Sequence, residues 1–114
     1  MAETIQFDDF VKVEMRVGMV MEVKMPDWSE KLLEFRVNLG EELGERTVFS
    51  AVKKWYSEAD FLNKKFPFVT NLAERKMGPA VSQGMMMMVD GGGHDAKPFL
   101  IILDDQAELG AVLC

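Results

Sequence analysis

From Val11 to Met25 the chain reads VKVEMRVGMVMEVKM, and Val13, Met15, Val17, Met19 and Met21 recur at every second position. That alternation predicts a long β-strand with those five side chains on one side. Gly18 interrupts it, which predicts a bulge or a sharp bend, and Pro26-Asp27 ends it. Leu32 to Leu39 predicts a second strand, with Leu33, Phe35, Val37 and Leu39 alternating with Glu34, Arg36 and Asn38. Gly40 to Gly44 reads as an acidic turn and Arg46 to Val52 as a third strand, so the second and third strands form a hairpin. Lys53 to Leu62 predicts a short helix, with Ser57 and Asp60 spaced as a start signal. Lys65 to Leu72 predicts a fourth strand, and Pro67 places it at an edge or an end. Gln83 to Val89 predicts a fifth, closed by the flexible run Gly91-Gly92-Gly93. Phe99 to Leu103 is a further apolar strand and Glu108 to Cys114 a short tail.

Five strands with a short helix between the third and fourth is the order of an OB barrel. A long first strand bent at a glycine suits that barrel, because one strand must serve both of its sheets. Periodicity alone leaves other small β-barrels open. The expectation is an all-β chain with a single domain over residues 1–114. The barrel occupies about 11–90 and a C-terminal extension about 95–114. No internal repeat, low-complexity segment or interdomain linker is present.

Composition narrows the function classes. The 114 residues are 48% hydrophobic, enough for a real core and too many for a disordered chain. No run of about 18 apolar residues occurs, so no membrane span is expected. The start MAETIQFDDF lacks the basic and apolar regions of a signal peptide. The lone Cys114 cannot form an internal disulfide, which fits a reducing cytoplasm. The net charge of −6 argues against indiscriminate polyanion binding. Yet Lys53 to Lys76 holds six basic residues against Glu58, Asp60 and Glu74, so a local basic face sits on an acidic body. The competing reading is solvated lysines on helices and loops.

Candidate chemistry concentrates in NLAERKMGPAVSQGMMMM, Asn71 to Met88. Arg75 and Lys76 suit phosphates, the first as a bidentate fork and the second as a point charge. Gly78-Pro79 is a turn signal. Ser82 offers a hydroxyl beside Gly84, where a missing Cβ lets another chain approach. Met85 offers a flexible apolar surface for a flat ring. Period two sets Met85 and Met87 opposite Met86 and Met88, so all four cannot line one site; Met86 to Met88 are assigned to core and sheet. Catalysis has little to stand on. His94 is the only histidine, no zinc-like ligand spacing surrounds it, and no GxxxxGK loop occurs. The expectation is a binding module, not an enzyme, with no metal and no cofactor.

FDDFVKVEMRVGMV, PDWSEKLLEFRVNLGEELGERTVFSAV, NLAERKM and SQGM, in that order and spacing, resemble the tRNA-binding domain family. That family includes free-standing dimeric tRNA-binding proteins and the C-terminal domains of methionyl-tRNA synthetases. The resemblance runs from about Ile5 to the C-terminus. It implies a five-stranded OB barrel whose terminal segments build a two-fold dimer; KPFLIILDDQAELGAVLC resembles the extra C-terminal segment of the dimeric members. It also implies an RNA-binding face of Lys31, Asn71, Arg75, Lys76, Ser82 and Met85. The chain departs from the family pattern at Ser50-Ala51, where Ser-Gly is usual, and at Glu74, beside the presumed phosphate contact.

The function implied is structure-selective tRNA binding by a cytoplasmic homodimer, with an aminoacyl-tRNA synthetase as a further partner. RNA recognition of this kind uses shape, phosphates and stacked unpaired bases. The alternative is a protein-binding module resembling the secretion-chaperone branch of the same family, for which a Met-rich face is adaptable to peptides. Phe7, Phe10, Phe99, Ile101 and Leu103 exceed the apolar needs of a barrel, so the N- and C-terminal segments are expected to form the dimer interface.

Overall fold

The computed structural model describes residues 2–114. A one-turn helix, α1 (Phe7–Phe10), precedes the barrel. It was not foreseen. The Asp9 carboxylate starts it by accepting the Gln6 N–H at 3.2 Å. Then come β1 (Met15–Lys24), β2 (Leu33–Asn38), the single turn α2 (Gly40–Leu43), β3 (Glu45–Ser50), α3 (Glu58–Phe61) and β4 (Lys65–Val69). A hairpin follows, β5 (Arg75–Met77) and β6 (Ala80–Ser82), then β7 (Met85–Met86), β8 (Met88–Val89) and β9 (Phe99–Leu100).

The main sheet runs β3-β2-β1-β4-β7, antiparallel throughout. Its two outer strands bend toward each other and are stitched at residues 82–84. Gln83 N–H donates to Thr47 O at 2.8 Å, and Phe49 N–H donates to Ser82 Oγ at 3.1 Å. The result is the nearly closed five-stranded OB-like barrel expected from the strand order. β1 serves both halves of it: Met15–Met19 pair with β4, and Met19–Lys24 with β2.

The face of β1 that fills the barrel differs from the period-two set. Gly18, Val20 and Val23 are the buried inner positions, while Met21 is exposed. The register slips between Val20 and Glu22, so the bulge lies at Met21 and not at Gly18. Gly18 instead pairs regularly with Phe66 and has no room for a side chain. A Cβ there would fall 2.7 Å from Val37 Cγ1 and 2.8 Å from Leu39 Cδ2 and Phe68 Cδ2. Val17, on the outer face, is buried as well. The C-terminal tail lies alongside: Val17 N–H donates to Ala111 O at 2.9 Å and Leu113 N–H to Met15 O at 2.9 Å.

The predicted helix over 53–62 shrinks to Glu58–Phe61. Ser57 is extended, at φ −119° and ψ 176°, so the helix starts after it. Its N–H donates to the Asp60 carboxylate at 2.8 Å. Before it, Trp55 and Tyr56 N–H both turn back onto Val52 O. The helix plugs the barrel with Phe61, fully buried, its ring 4.7 Å from that of Phe35 and 5.7 Å from that of Phe66.

The fourth strand stops at Val69, and β4 is interior, not an edge. Pro67 turns its nitrogen and carbonyl toward β7, not β1: the carbonyl accepts Met87 N–H at 2.9 Å, and the bond back that a proline cannot donate falls where the pairing with β7 ends at Met86. The fifth strand is broken at Met87: β7 pairs with β4, whereas β8 pairs with β9 in a separate two-stranded sheet. The tail crosses β4 as well, with Leu103 N–H donating to Lys65 O and the Lys65 ammonium to the carbonyls of Asp105 and Ala107. Phe7, Phe10 and Phe99 are exposed, whereas Ile101 and Leu103 are half-buried. No helix among the described residues is long and apolar enough to cross a membrane.

Candidate nucleic-acid interface

The motif region folds as a hairpin laid beside the barrel seam. Gly78-Pro79 makes its tip, with Gly78 at φ +57°, a conformation L side chains rarely adopt. The tip rests on Trp28 from the β1–β2 loop. A Cβ on Gly78 would fall 2.6 Å from Trp28 Cζ3. Trp28 in turn packs on Phe49, ring centroids 5.8 Å apart. The hairpin thus has a fixed height above the end of β3.

Cross-strand pairing sets Arg75 opposite Ser82, Lys76 opposite Val81 and Met77 opposite Ala80. Successive side chains alternate, so Arg75 and Met77 face one way and Lys76 the other. Arg75 and Met77 line an open groove with Phe49, Ser50, Ala51 and Met85 to Met88. No acidic residue lines it. Met85 is exposed, while Met86 is buried in the core. Arg75 forms no ion pair among the described residues. The other side of the hairpin is different. Glu74 lines a separate depression with Arg46, Thr70, Leu72 and Gln83. There Arg46 Nη1 donates to Thr70 O at 2.6 Å, and Gln83 Nε2 to Glu74 Oε2 at 3.4 Å. Glu74 therefore does not share the groove with Arg75.

Lys31 is exposed on the loop entering β2. Ser29 Oγ accepts the N–H groups of both Lys31 and Leu32 at 3.2 Å, and Lys53 N–H donates to Lys31 O at 3.2 Å. Lys31 lines a second groove with Glu30, Ala51, Lys54, Trp55, His94 and Asp95. Ala51 borders both grooves and joins them. Lys31, Arg75 and Met85 thus lie on one continuous surface.

Two expected contacts are committed elsewhere. Ser82 is buried, 4% exposed. Its hydroxyl accepts Phe49 N–H and donates to Gly84 O, both at 3.1 Å, so it closes the barrel seam and is not on the surface. The chain that approaches Gly84 is the protein's own β4, with Val69 O 3.0 Å from a Cβ built there. Asn71 neither faces the groove nor turns its own backbone. Its amide donates to Lys12 O at 2.5 Å and its Oδ1 accepts Glu14 N–H at 2.9 Å, clamping the segment before β1. Lys76 is exposed but turned from Arg75.

Beside that clamp, Glu14 accepts the Thr70 hydroxyl at 2.7 Å and Arg16 Nε at 2.9 Å. The Thr70 hydrogen bond first, then that from Arg16, hold its carboxyl below its ordinary value of 4.5. Arg16 Nη1 also reaches Glu42 at 3.0 Å and Gly110 O at 3.2 Å, tying the tail to the barrel.

Sequence reasoning missed Trp28 and Trp55. The signal available for Trp55 was an aromatic residue directly after Lys53-Lys54, the interleaving that single-strand binders use. For Trp28 no local signal existed, because its role depends on a hairpin tip fifty residues away. No group of three or more His, Cys, Asp or Glu able to hold a metal occurs among the described residues.

The family model described as "Putative tRNA binding domain" matches residues 15–112. A methionine–tRNA ligase of Chromobacterium violaceum is 45% identical over 105 residues, 91% of this chain and 15% of that protein. The chain thus spans a small fraction of that relative's length. A crystal structure of a MetRS-related protein from Pyrococcus horikoshii superposes with a TM-score of 0.89 at 30% identity, covering 99% of this chain and 100% of that one. The chaperone CsaA of Bacillus anthracis superposes with a TM-score of 0.85 at 17% identity, covering 98% and 100%, a likeness of fold alone.

Proposed function

This chain belongs to the tRNA-binding domain family, and on that premise we propose that it is a non-catalytic, structure-selective tRNA-binding module that works as a homodimer and serves an aminoacyl-tRNA synthetase. The observation that carries the reading is the acid-free groove of Arg75, Met77 and Met85, continued across Ala51 to Lys31. An anionic backbone needs cations that are not already neutralised, and a base or sugar needs an adaptable apolar floor. Arg75 and Lys31 supply the first and Met85 the second. Lys76 serves a phosphate at the far rim of the hairpin. Ser82 and Asn71 position this surface without touching RNA, one by closing the seam and the other by holding the chain before β1.

The dimer half of the reading rests on Phe7, Phe10 and Phe99, which leave apolar surface uncovered beside a barrel that already has its core. Residues 11–90 are then the binding barrel and 95–114 the extension that supports assembly. Sedimentation equilibrium at micromolar concentration checks it; a monomer would refute that half alone.

Total tRNA is titrated against the protein at several salt concentrations, beside duplex DNA of equal charge. The expected result is tRNA binding that falls steeply with salt and exceeds duplex binding. The methionine-lined groove also suits an apolar peptide. Absence of tRNA binding, with salt-insensitive binding of an unfolded apolar peptide, would replace RNA by protein as the ligand.

A further inference from the structure

We propose that the second groove, between Lys31 and Trp55, is a subsite for one unpaired nucleobase, stacked on the Trp55 indole with its flanking phosphates on Lys31 and Lys54. The inference rests on the RNA-binding reading and assigns a different part of the surface from the Arg75–Met85 groove.

Three observations carry it. First, Trp55 is only half-buried although it is among the largest apolar side chains, and it lines an open groove whose other residues, Ala51 apart, are polar or charged: Lys31, Lys54 and His94 with Glu30 and Asp95. Its neighbour Tyr56 is committed to the fold: its ring sits 5.7 Å from that of Phe61 and its hydroxyl donates to Pro98 O at 2.6 Å. Trp55 has no such aromatic partner among the described residues. Second, Lys31 and Lys54 line the same groove as the indole. Lys31 forms no ion pair among the described residues, and the Lys54 ammonium stands 5.4 Å from the Trp55 ring centroid. Lys54 is held by Asp95 at 2.6 Å, but both side chains are largely exposed, so the pair is weak and its ammonium is free to exchange a carboxylate for a phosphate. Third, Ala51 joins this groove to the one holding Arg75, so a strand crossing it stays on one surface. A flat π-face beside cations accepts any base and reads no sequence, as in other single-strand sites. A-form duplex would not enter, because its bases are stacked on one another.

The test uses the whole protein labelled with 5-fluorotryptophan. It has two tryptophans, so fluorine NMR gives two signals, assigned with Trp55→Phe. The probes are a short oligoadenylate and an abasic ribose-phosphate chain of equal length. The expected result is an upfield shift of the Trp55 signal with oligoadenylate and none with the abasic chain. Trp55→Ala should weaken tRNA binding roughly 5- to 150-fold, the range for one lost base–aromatic stack, and Trp55→Phe should retain most of the affinity. Asp95→Asn, which frees Lys54, should strengthen binding. If tRNA binds the parent but Trp55→Ala binds equally well, or the abasic chain shifts Trp55 as much as oligoadenylate, the subsite is refuted and the tRNA reading stands. If the parent binds no tRNA, the reading of the whole surface fails with it. Should Trp55→Ala not fold, the fluorine shift in the parent decides.

Discussion

The two sides of the β5–β6 hairpin are built from alternate residues of one short stretch, yet they carry opposite chemistry. On one side Arg75 and Met77 face methionines across an open groove, with no carboxylate and no ion pair among the described residues. On the other, Glu74, Gln83, Arg46 and Thr70 hydrogen-bond among themselves, and the chain of contacts continues through Thr70 to Glu14. A polar side chain whose partners are already in the protein must give them up to bind anything else. Proximity in sequence therefore says little about which residues of NLAERKMGPAVSQGMMMM contact a ligand. The pleat and the internal hydrogen bonds decide.

The sharpest test of this division is Ser82→Ala. It removes the acceptor for the buried Phe49 N–H, so it should cost about 1–3 kcal/mol of stability. It should leave tRNA affinity at the parent's level when measured well below the melting temperature. An affinity loss in a fully folded Ser82→Ala protein would put the hydroxyl in the site and break the division. Arg75→Ala should do the reverse: stability within about 0.5 kcal/mol of the parent, tRNA affinity down about tenfold, and a salt slope lower by about 1. Met85→Ala should weaken binding with the slope unchanged, because a thioether neutralises no phosphate. Equal effects of Arg75→Ala and Lys76→Ala would show that RNA wraps both sides of the hairpin.

Glu74→Lys is expected to act more weakly, raising affinity by about twofold to fivefold, the scale of one exposed charge interaction. Its charge reaches the groove only around the hairpin. The smallest effect concerns acid. Because the Glu14 carboxyl is held below 4.5 in the folded protein, its contribution to stability is present above that value and is lost as pH falls beneath it. Melting curves between pH 6 and 3 should therefore fall more for the parent than for Glu14→Gln. Parallel curves would mean that the Thr70 and Arg16 hydrogen bonds to Glu14 add nothing to stability.

Much of the barrel was legible because its strands are half-buried and alternate. Leu33, Phe35 and Val37 fill the interior as period two requires. The first strand misled because a bulge reverses the alternation midway, and Met and Val occupy both of its faces. Val17 is buried on the outer face only because the tail arrives there, a contact ninety-odd residues away in sequence. The β5–β6 hairpin was invisible because AERKMGPAVS has turn chemistry but no apolar alternation. Residue type proposed Arg75 and Met85, and the family resemblance proposed Lys31; all three line the joined grooves. Neither could reveal that Ser82 and Asn71, equally polar, spend their hydrogen bonds on the barrel seam and on the segment before β1.

The tail that lies along Met15–Val17 also sets the order in which the molecule can be finished. Within this chain β1 is made before its partners, and β2 covers its far half once residues 33–38 have followed. The near half waits for residues 110–113, the donors and acceptors that Val17 and Met15 require. Throughout that interval the nascent barrel presents an unpaired strand edge flanked by Met15, Val17 and Met19, the kind of edge that recruits a second chain. Translation pauses or truncations before residue 110 should therefore be judged by aggregation in the cell, and not only by lost function.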